Sequence, residues 1–452
     1  MSNQTAINPS LSITEENTKQ TTAQKIGGIC VAIGILAIVI AASGLGKEFP
    51  VLLLSAMVAM FGLGAISYAT PYYKGEAGIR NNGIMFKKMT NRGTIAWIFA
   101  IVLTGFYIII YWYSWMLEGL IHIFDPLSNL LSGKPADQWF MYGTLYTLAI
   151  LYMGIRFIAR YRHSRYHVIR TFSVMFFQTG FAFLIPMFLK KLNEPEFYFS
   201  YFWPLKYNYL FPSDVSALMS SGNLGVFMVF WGAMMTFIAT PILTYKYGKR
   251  WYCSWVCGCG GLAETAGDPY RHLSDKSLKA WKIERWMVHS VLVFITITTI
   301  LLWLNSYYKG NIFGSVSGAF AQWYGFFIGA VFSGVIGVGF YPIMGSRVWC
   351  RFGCPMAALL GVFQKFKSKF RITTNGGQCI SCGNCSTYCE MGIDVKWYAQ
   401  RGQNIVRSSC VGCGICASVC PRGVLKLENG KEEGRINDKP ITIGNNNITV
   451  HL

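Results

Sequence analysis

Eight stretches of this chain are apolar over a length that can cross a lipid bilayer. They run over 26–45, 49–69, 94–116, 137–158, 168–189, 222–245, 287–306 and 324–344. A stretch of about 18 to 20 apolar residues crosses the hydrocarbon layer as a helix, which satisfies its own backbone hydrogen bonds there. Charged residues are only 13% of the chain, against about 25% in soluble domains. The sequence therefore predicts a mainly α-helical polytopic membrane protein with eight transmembrane helices.

Basic residues are concentrated in alternate connections between these stretches. The segments after the second, fourth, sixth and eighth stretches are rich in Lys and Arg, whereas 117–136 and 307–323 hold one lysine each. Because cytoplasmic loops carry the excess of basic residues, we expect both termini on the cytoplasmic side of the cell inner membrane. The net charge of +20 is largely explained by this distribution, so we expect no nucleic-acid partner.

The C-terminal part repeats the spacing Cys-x2-Cys-x2-Cys-x3-Cys. The first run is Cys379, Cys382, Cys385 and Cys389, and the second is Cys410, Cys413, Cys416 and Cys420. This spacing is typical of a two-cluster ferredoxin, in which the fourth cysteine of each run serves the other cluster. We therefore predict two [4Fe–4S] clusters in a cytoplasmic α+β ferredoxin-like domain, and zinc is the weaker alternative. Glu390 follows the first run, where a proline is usual.

Two further cysteine pairs follow the sixth and the eighth apolar stretch. They are Cys253 with Cys257 and Cys350 with Cys354, each inside the pattern Gly-x-Arg-x-aromatic-Cys-x-aromatic-x-Cys. On a helix, residues four apart face the same side, and parallel repeats of two helices would bring the pairs together. We predict a third Fe–S cluster or a metal at these four thiols. A structural zinc ion and unligated buried thiols remain alternatives, and Cys259 is interpreted as a packed thiol.

Together these features resemble the membrane polyferredoxins of nitrate- and nitrous-oxide-reduction systems, the NapH/NosR type. The likeness runs from about residue 165 to 427. The motif Cys350–Pro355 matches that family's Cys-x3-Cys-Pro, whereas Gly258 stands where the first motif of the family has proline. The resemblance implies a four-helix membrane core, electron transfer between membrane quinone and iron–sulfur clusters, and a protein redox partner in the cytoplasm or periplasm. It also implies a quinol dehydrogenase-like electron-transfer subunit.

Three polar residues near the apolar stretches are candidate quinone contacts. Polar groups within a membrane are functional candidates by default, which singles out Gln178, Arg170 and His289. The alternatives are interhelical hydrogen bonding for Gln178, snorkelling to the interface for Arg170 and helix packing for His289. The basic residues of segment 347–371 could steer an acidic redox partner.

The chain divides into five predicted regions. They are a disordered tail at 1–24, a four-helix membrane region at 25–160, a four-helix core at 165–365, the ferredoxin-like domain at 372–428 and a tail at 429–452. The predicted function is electron transfer between the quinone pool and a redox partner in an anaerobic or respiratory pathway. The alternative is a redox-active assembly factor that reduces a metal ion such as copper for a membrane oxidase or reductase.

Overall fold

The computed structural model describes residues 20–44, 47–74, 92–310, 313–429, 441–443 and 448–450. Most of the two predicted tails, 1–24 and 429–452, therefore lies outside the described residues. Within them the chain is mainly helical, and eight helices are long and apolar enough to cross a membrane, as the sequence predicts. The predicted fold class is confirmed.

The eight long helices are named α1 to α8 in chain order. They are α1 Thr22–Ala42, α2 Pro50–Lys74, α3 Thr94–Trp112, α4 Gln138–Tyr161, α5 Arg165–Lys191, α6 Asn223–Tyr247, α7 Leu278–Tyr307 and α8 Val316–Ile336. Between α3 and α4 lie a 3₁₀ turn, Ser114–Leu117, and short helices Glu118–His122 and Asp125–Ser132. A 3₁₀ turn, Tyr207–Leu210, and the helix Pro212–Ser220 precede α6.

The last membrane helix lies eight residues earlier than the sequence predicts, so the predicted range 324–344 was wrong. The apolar sequence continues beyond Ile336, the last residue of α8, because the turn that follows is also buried against α3. A Cβ on Gly339 would lie 2.5 Å from the Thr104 hydroxyl oxygen, and one on Gly334 would lie 2.8 Å from the Tyr111 ring. Glycines therefore allow this close approach, and hydropathy alone does not show where the helix ends.

Helix pairs α5–α6 and α7–α8 are each followed by a short helical turn and then a further helix, with one additional short helix after α8. After α6 come a helical turn, Arg250–Cys253, and a second short helix, Gly258–Thr265. After α8 come the short helix Tyr341–Met344, a π-type turn, Trp349–Gly353, and the helix Pro355–Lys367. Helix α4 packs against Gly258–Thr265, so the fourth membrane helix contributes to this core.

The C-terminal domain is built around one antiparallel strand pair. Strand β1, Phe370–Thr374, pairs with β2, Leu425–Asn429, with Ile372 opposite Leu427. Short helices Asn384–Thr387, Val395–Gln400 and Ile415–Ser418 connect the cysteine loops. A second antiparallel pair joins β3, Ile441–Ile443, to β4, Ile448–Val450.

Candidate iron–sulfur centre and adjoining cavity

The structure interleaves the two C-terminal cysteine runs. Cys379, Cys382, Cys385 and Cys420 line one small cavity, so the last cysteine of the second run joins the first three of the first run. Burial raises the pKa of the Cys385 thiol to about 12, and the other three thiols are close enough to act on it electrostatically. This group, the outer group, includes the exposed thiol of Cys382.

A second group forms on the membrane side of the outer group. The thiol of Cys416 is within electrostatic range of those of Cys410, Cys413 and Cys389, and also of Cys385 in the outer group. Cys389 therefore crosses over to join the first three cysteines of the second run. We call these four residues the inner group. Burial raises the pKa of the Cys410 thiol to about 11.

The two membrane-core pairs converge in a third set of thiols, which we call the cage. Cys253, Cys257, Cys350 and Cys354 are all at most 7% exposed and pack in one cluster. The expectation that each pair lies on one helix was wrong. Cys253 ends a short helical turn, whereas Cys257 has extended backbone and caps the N-terminus of the next helix. Cys354 caps Pro355–Lys367 in the same way and accepts a hydrogen bond from the Ala357 amide, so each motif connects two helical segments.

The cysteine sulfurs of the described residues are spaced more widely than the ligands of a single zinc ion. A tetrahedral zinc ion with Zn–S bonds of about 2.3 Å would bring its sulfur ligands to within about 4 Å of one another. In the described part of the chain, no three cysteine sulfurs all lie within 4.8 Å of one another. The three cysteine sets are thus too open for one ion. All fourteen cysteines are free thiols, which leaves twelve of them available in sets of four.

Cys259 packs against the cage, as the sequence suggests, and it also faces a cavity. It lines a large cavity and forms a side-chain hydrogen bond with Cys257, which lowers the pKa of the Cys257 thiol to about 7. The repeat has Met356 at this position, fully buried. Cys259 therefore breaks the symmetry of the cage on the side that faces the cavity. Cys30, by contrast, is half-buried in α1, away from these groups.

The membrane core holds the inner-group loop by its backbone carbonyls. Tyr166 donates to the Gly412 oxygen at 2.9 Å, Ser254 donates to the Val411 oxygen at 2.8 Å, and Arg170 donates to the Cys413 oxygen. Gln364 donates to the oxygens of Arg407 and Cys410 at 2.7 and 2.8 Å. These contacts fix the ferredoxin-like domain directly against the cage.

Buried ion pairs reinforce this contact. Glu390 is fully buried and lies 2.5 Å from the Arg271 guanidinium and 2.9 Å from that of Arg347. Burial alone would raise its pKa, but the two arginines outweigh burial and the pKa of Glu390 is lowered. Arg347 also pairs with Glu264 at 2.7 Å and points at the Cys350 sulfur, 3.6 Å away. One guanidinium thus connects the domain, the core and the cage.

The burial of these arginines corrects one expectation. Arg347 and Arg351 are 1% and 4% exposed, and Arg351 pairs with Glu284 at 2.7 Å. Because their charges are enclosed, these two arginines do not steer a soluble partner. A similar arrangement surrounds Asp268, which pairs with Arg160 at 2.7 Å and Arg271 at 2.9 Å. The sequence analysis did not predict this network of ion pairs. The few acidic residues within strongly basic segments were the signal that could have indicated it.

A cavity of about 1010 Å³ extends from the cage toward the opposite face of the molecule. Its inner end is lined by Cys350, Cys259 and Gln178, and its walls are rich in tyrosine. The wall tyrosines are Tyr111, Tyr142, Tyr146, Tyr198, Tyr201, Tyr207, Tyr209 and Tyr341. Carboxylates line it only at the mouth, at Asp137, Glu196 and Asp214. The cavity therefore gives a buried, weakly polar path to the cage.

The three candidate quinone contacts occupy different places. Gln178 lines this cavity; its amide donates to the Thr147 hydroxyl at 3.1 Å, and its carbonyl oxygen is buried without a partner. Arg170 pairs with Glu264 in the ion network and is not among the residues that line this cavity. His289 lines a small cavity together with Cys350. A groove of about 920 Å³ beside the domain includes Trp251, Trp255 and Arg250.

Comparisons with known proteins match the two cysteine-rich parts separately. Residues 378–425 match the family described as a 4Fe-4S dicluster domain, and 229–278 with 320–373 match a 4Fe-4S binding domain. The second match contains both membrane-core cysteine pairs. No solved structure matches this chain.

Two curated proteins are similar over part of the chain. A putative electron transport protein, YccM, from Escherichia coli is 25% identical over 36% of this chain and 47% of its own length. An uncharacterized protein, MJ0750, from Methanocaldococcus jannaschii is 23% identical over 46% of this chain and 83% of its own length. The chain thus spans about half the length of the Escherichia coli relative. These similarities and the eight apolar helices support a general electron-transfer role for a multi-pass membrane protein with 4Fe–4S domains.

Proposed function

We propose that this protein, like membrane polyferredoxins of the NapH/NosR type, passes electrons between a membrane quinone and a soluble redox partner. The observation that carries the proposal is the cavity that ends at Cys350 and Cys259, beside the cage. A quinone head group at the inner end of this cavity would lie directly beside the cage. The ferredoxin-like domain on the other side of the cage would serve the partner.

The inner end of the cavity has the groups that a quinone needs. Burial raises the pKa of Tyr201 well above its usual value, so its hydroxyl stays a neutral hydrogen-bond donor. The unpartnered Gln178 oxygen would accept a hydrogen bond from a quinol hydroxyl. The aromatic walls bury the ring and isoprenoid tail, as hydrophobic linings do in ligand pockets. Gln178 is thus the residue that we assign to the quinone head group.

Three cysteine sets would hold the cofactors of this proposal. The outer and inner groups would each hold a [4Fe–4S] cluster, and the cage would hold a third Fe–S cluster. A bound cluster supplies one-electron chemistry, and its potential depends on burial, hydrogen bonds to sulfur and nearby charge. The chain contributes these controls: Arg347 beside Cys350, and the buried Lys249, whose amine donates to the Ser408 oxygen at 3.2 Å.

The exposed edge of the outer group is the proposed partner site. Cys382 is exposed there, and Ile380 beside it is 55% exposed. Lys396 and Arg422 line the same small cavity, so a partner with an acidic surface is favoured. The proposed partner is therefore a soluble one-electron carrier that docks on this edge.

The copper-reduction alternative receives less support from the cavity. Soft metal ions are bound best by Cys, Met and His side chains. Cys259 and Cys350 are there, but neither Met nor His is among the described residues that line the cavity. The tyrosine and glutamine lining favours an organic carbonyl over a metal ion.

Reduction by a quinol analogue tests the proposal. In the anaerobic, purified protein, Gln178→Ala should slow quinol-driven bleaching of the iron–sulfur absorbance about tenfold, because one ligand hydrogen bond is worth about 1 to 1.5 kcal/mol. Reduction by dithionite should be unchanged. Thr179→Val is the matched control, since Thr179 neighbours Gln178 in α5 but does not line the cavity. A wild-type protein that dithionite bleaches and quinol does not would contradict the proposal.

A further inference from the structure

The mouth of the cavity and the ferredoxin-like domain lie on opposite faces of the membrane core. The domain contacts the start of α5 through Tyr166, and the end of α6 through a hydrogen bond from the Lys369 amide to the Tyr245 oxygen, 2.8 Å. The cavity mouth is formed at the other ends of the same helices, by the start of α4 and the 195–214 connection between α5 and α6. A ligand in the cavity thus lies between two faces that are chemically different.

A short chain of hydroxyl and carboxylate groups leads from the inner end of the cavity to its mouth. The Tyr201 hydroxyl hydrogen-bonds the backbone of Gly258, next to the cage. The Tyr198 ring lies 5.9 Å from the Tyr201 ring, and its hydroxyl donates to the exposed carboxylate of Glu196. Tyr201, Tyr198 and Glu196 are thus arranged in order from the cage end of the cavity to its mouth, where Tyr198 and the exposed Glu196 are joined by a hydrogen bond.

The ferredoxin face offers no comparable exit from the cavity. On that side, Glu264 and Glu390 line no part of the cavity and are held by buried arginines. Glu284, which lines a separate small cavity with Cys350, is paired with Arg351. Asp137, Glu196 and Asp214 are the carboxylates that do line it, and all are at the mouth. Among the described residues that line the cavity, the carboxylates are thus at the mouth and the cysteines are at the end nearer the domain.

We propose that charge separates across this core: quinol protons leave through the mouth, and electrons leave toward the ferredoxin-like domain. This inference rests on the proposed function. Oxidation of one quinol breaks two O–H bonds and yields the quinone, two protons and two electrons. Tyr198 passes the protons to Glu196, and a one-electron acceptor on the domain face takes up the electrons. The reaction therefore moves positive charge toward the mouth face relative to the domain face.

Proteoliposomes holding the full chain test this direction. Orientation is determined on a separate portion of each preparation, by whether an external protease cuts the ferredoxin-like domain. The assay uses the uncut portion of a preparation in which the domain is outside, so that the cavity mouth faces the lumen. A quinol analogue is added to the membrane, and ferricyanide, which does not cross it, is added outside. We expect quinol-dependent ferricyanide reduction, a more acidic lumen reported by an enclosed pH dye, and a lumen-positive potential. Protein-free vesicles correct for direct oxidation.

Failure of the charge separation and failure of the proposed function give different results. Ferricyanide reduction with proton release into the outer solution would overturn the charge separation and leave the proposed function standing. A lack of quinol-dependent reduction, in protein that dithionite reduces, would overturn both.

Variants test the route itself. Glu196→Gln and Tyr198→Phe should each slow lumen acidification about tenfold or more, as expected when a positioned proton acceptor is removed. Glu194→Gln is the matched control, because Glu194 lies in the same connection but does not line the cavity. Acidification at the wild-type rate in both test variants would overturn the route. Cluster reduction by dithionite must be unchanged in all three, which separates loss of the route from loss of the fold.

Discussion

Glu390 shows how one residue can couple two parts of the molecule. It follows the last cysteine of the first run, where the second run has Pro421. Its carboxylate is held by Arg271 and Arg347, and its backbone oxygen accepts a hydrogen bond from Ser274 at 2.7 Å. A proline could make none of the carboxylate contacts. The departure from the usual ferredoxin pattern is therefore a connection to the membrane core.

Replacement of this carboxylate should be costly. Glu390→Gln removes the charge that Arg271 and Arg347 face in a buried site, where breaking a pair typically costs about 3 to 5 kcal/mol. We expect a lower midpoint of thermal unfolding in detergent, followed by loss of iron–sulfur absorbance. Glu428→Gln, at a partly exposed pair with Lys426, should change stability by about 1 kcal/mol or less. Equal midpoints for Glu390→Gln and wild type would contradict this assignment.

At the scale of elements, the repeated turn is the unit that builds the cage. Each repeat ends a membrane helix, forms a helical turn with the first cysteine, and places the second cysteine as the N-cap of the next helix. Both repeats contribute two buried thiols. The cage is consequently complete only when the two repeats pack together.

Removal of one cage thiol from each repeat should prevent the cage from holding a cluster. In anaerobic protein we expect about twelve irons per chain for three cubes, and about eight after Cys253→Ser with Cys350→Ser, because the outer and inner groups keep their ligands. Cys259→Met, which copies the residue of the other repeat, should keep the wild-type iron content. Iron analysis and EPR provide the measurement. Equal iron in the double variant and wild type would show that the cage holds no cluster.

Gly258 gives the first repeat its access to the cavity. A Cβ there would lie 2.3 Å from the Gln178 oxygen and 2.5 Å from the Tyr201 hydroxyl, which explains why the proline of the other repeat, Pro355, is absent. Gly258→Ala should therefore displace these two groups and slow reduction by quinol, with iron content unchanged. Gly377→Ala, where a Cβ meets nothing within 4 Å, is the control. Normal quinol kinetics in Gly258→Ala would mean that the head group binds elsewhere.

Local patterns in the sequence predict the elements better than they predict their contacts. Apolar runs locate the eight helices, and the cysteine spacing indicates the two C-terminal groups, because both signals depend on neighbouring residues. The break between Cys253 and Cys257, the early end of α8 and the pairing of Arg347 with Glu390 depend on residues distant in sequence. The cavity is likewise formed by tyrosines from several elements, and no single segment contains its signal.

At the scale of the whole molecule, the ferredoxin-like domain and the membrane core pack as one unit. Its inner-group loop receives hydrogen bonds from Tyr166, Ser254 and Gln364, and its ion pairs are buried. Salt screens buried pairs much less than exposed ones. The chain connection at 368–369 is therefore only one of several links between the domain and the core.

Cutting this connection should not release the domain. With a protease site inserted after Ser368, the cleaved domain should co-elute with the membrane part even in about 1 M salt, where the screening length is about 3 Å. In the same cleavable protein, Glu390→Gln should weaken retention, whereas Glu428→Gln should not. Size-exclusion chromatography in detergent reports the outcome. Complete release of the unsubstituted domain at low salt would contradict the rigid attachment.

Cys382 is exposed whereas the cage thiols are buried, so oxidants should reach the outer group more easily than the cage. Thiolates are attacked by oxidants in the order of their accessibility. Oxygen should therefore dismantle the outer group first and reach the cage last. If the proposed function holds, a briefly aerated sample would still accept electrons from a quinol but would have lost the proposed docking edge for a soluble carrier, so that damage begins at the outer group.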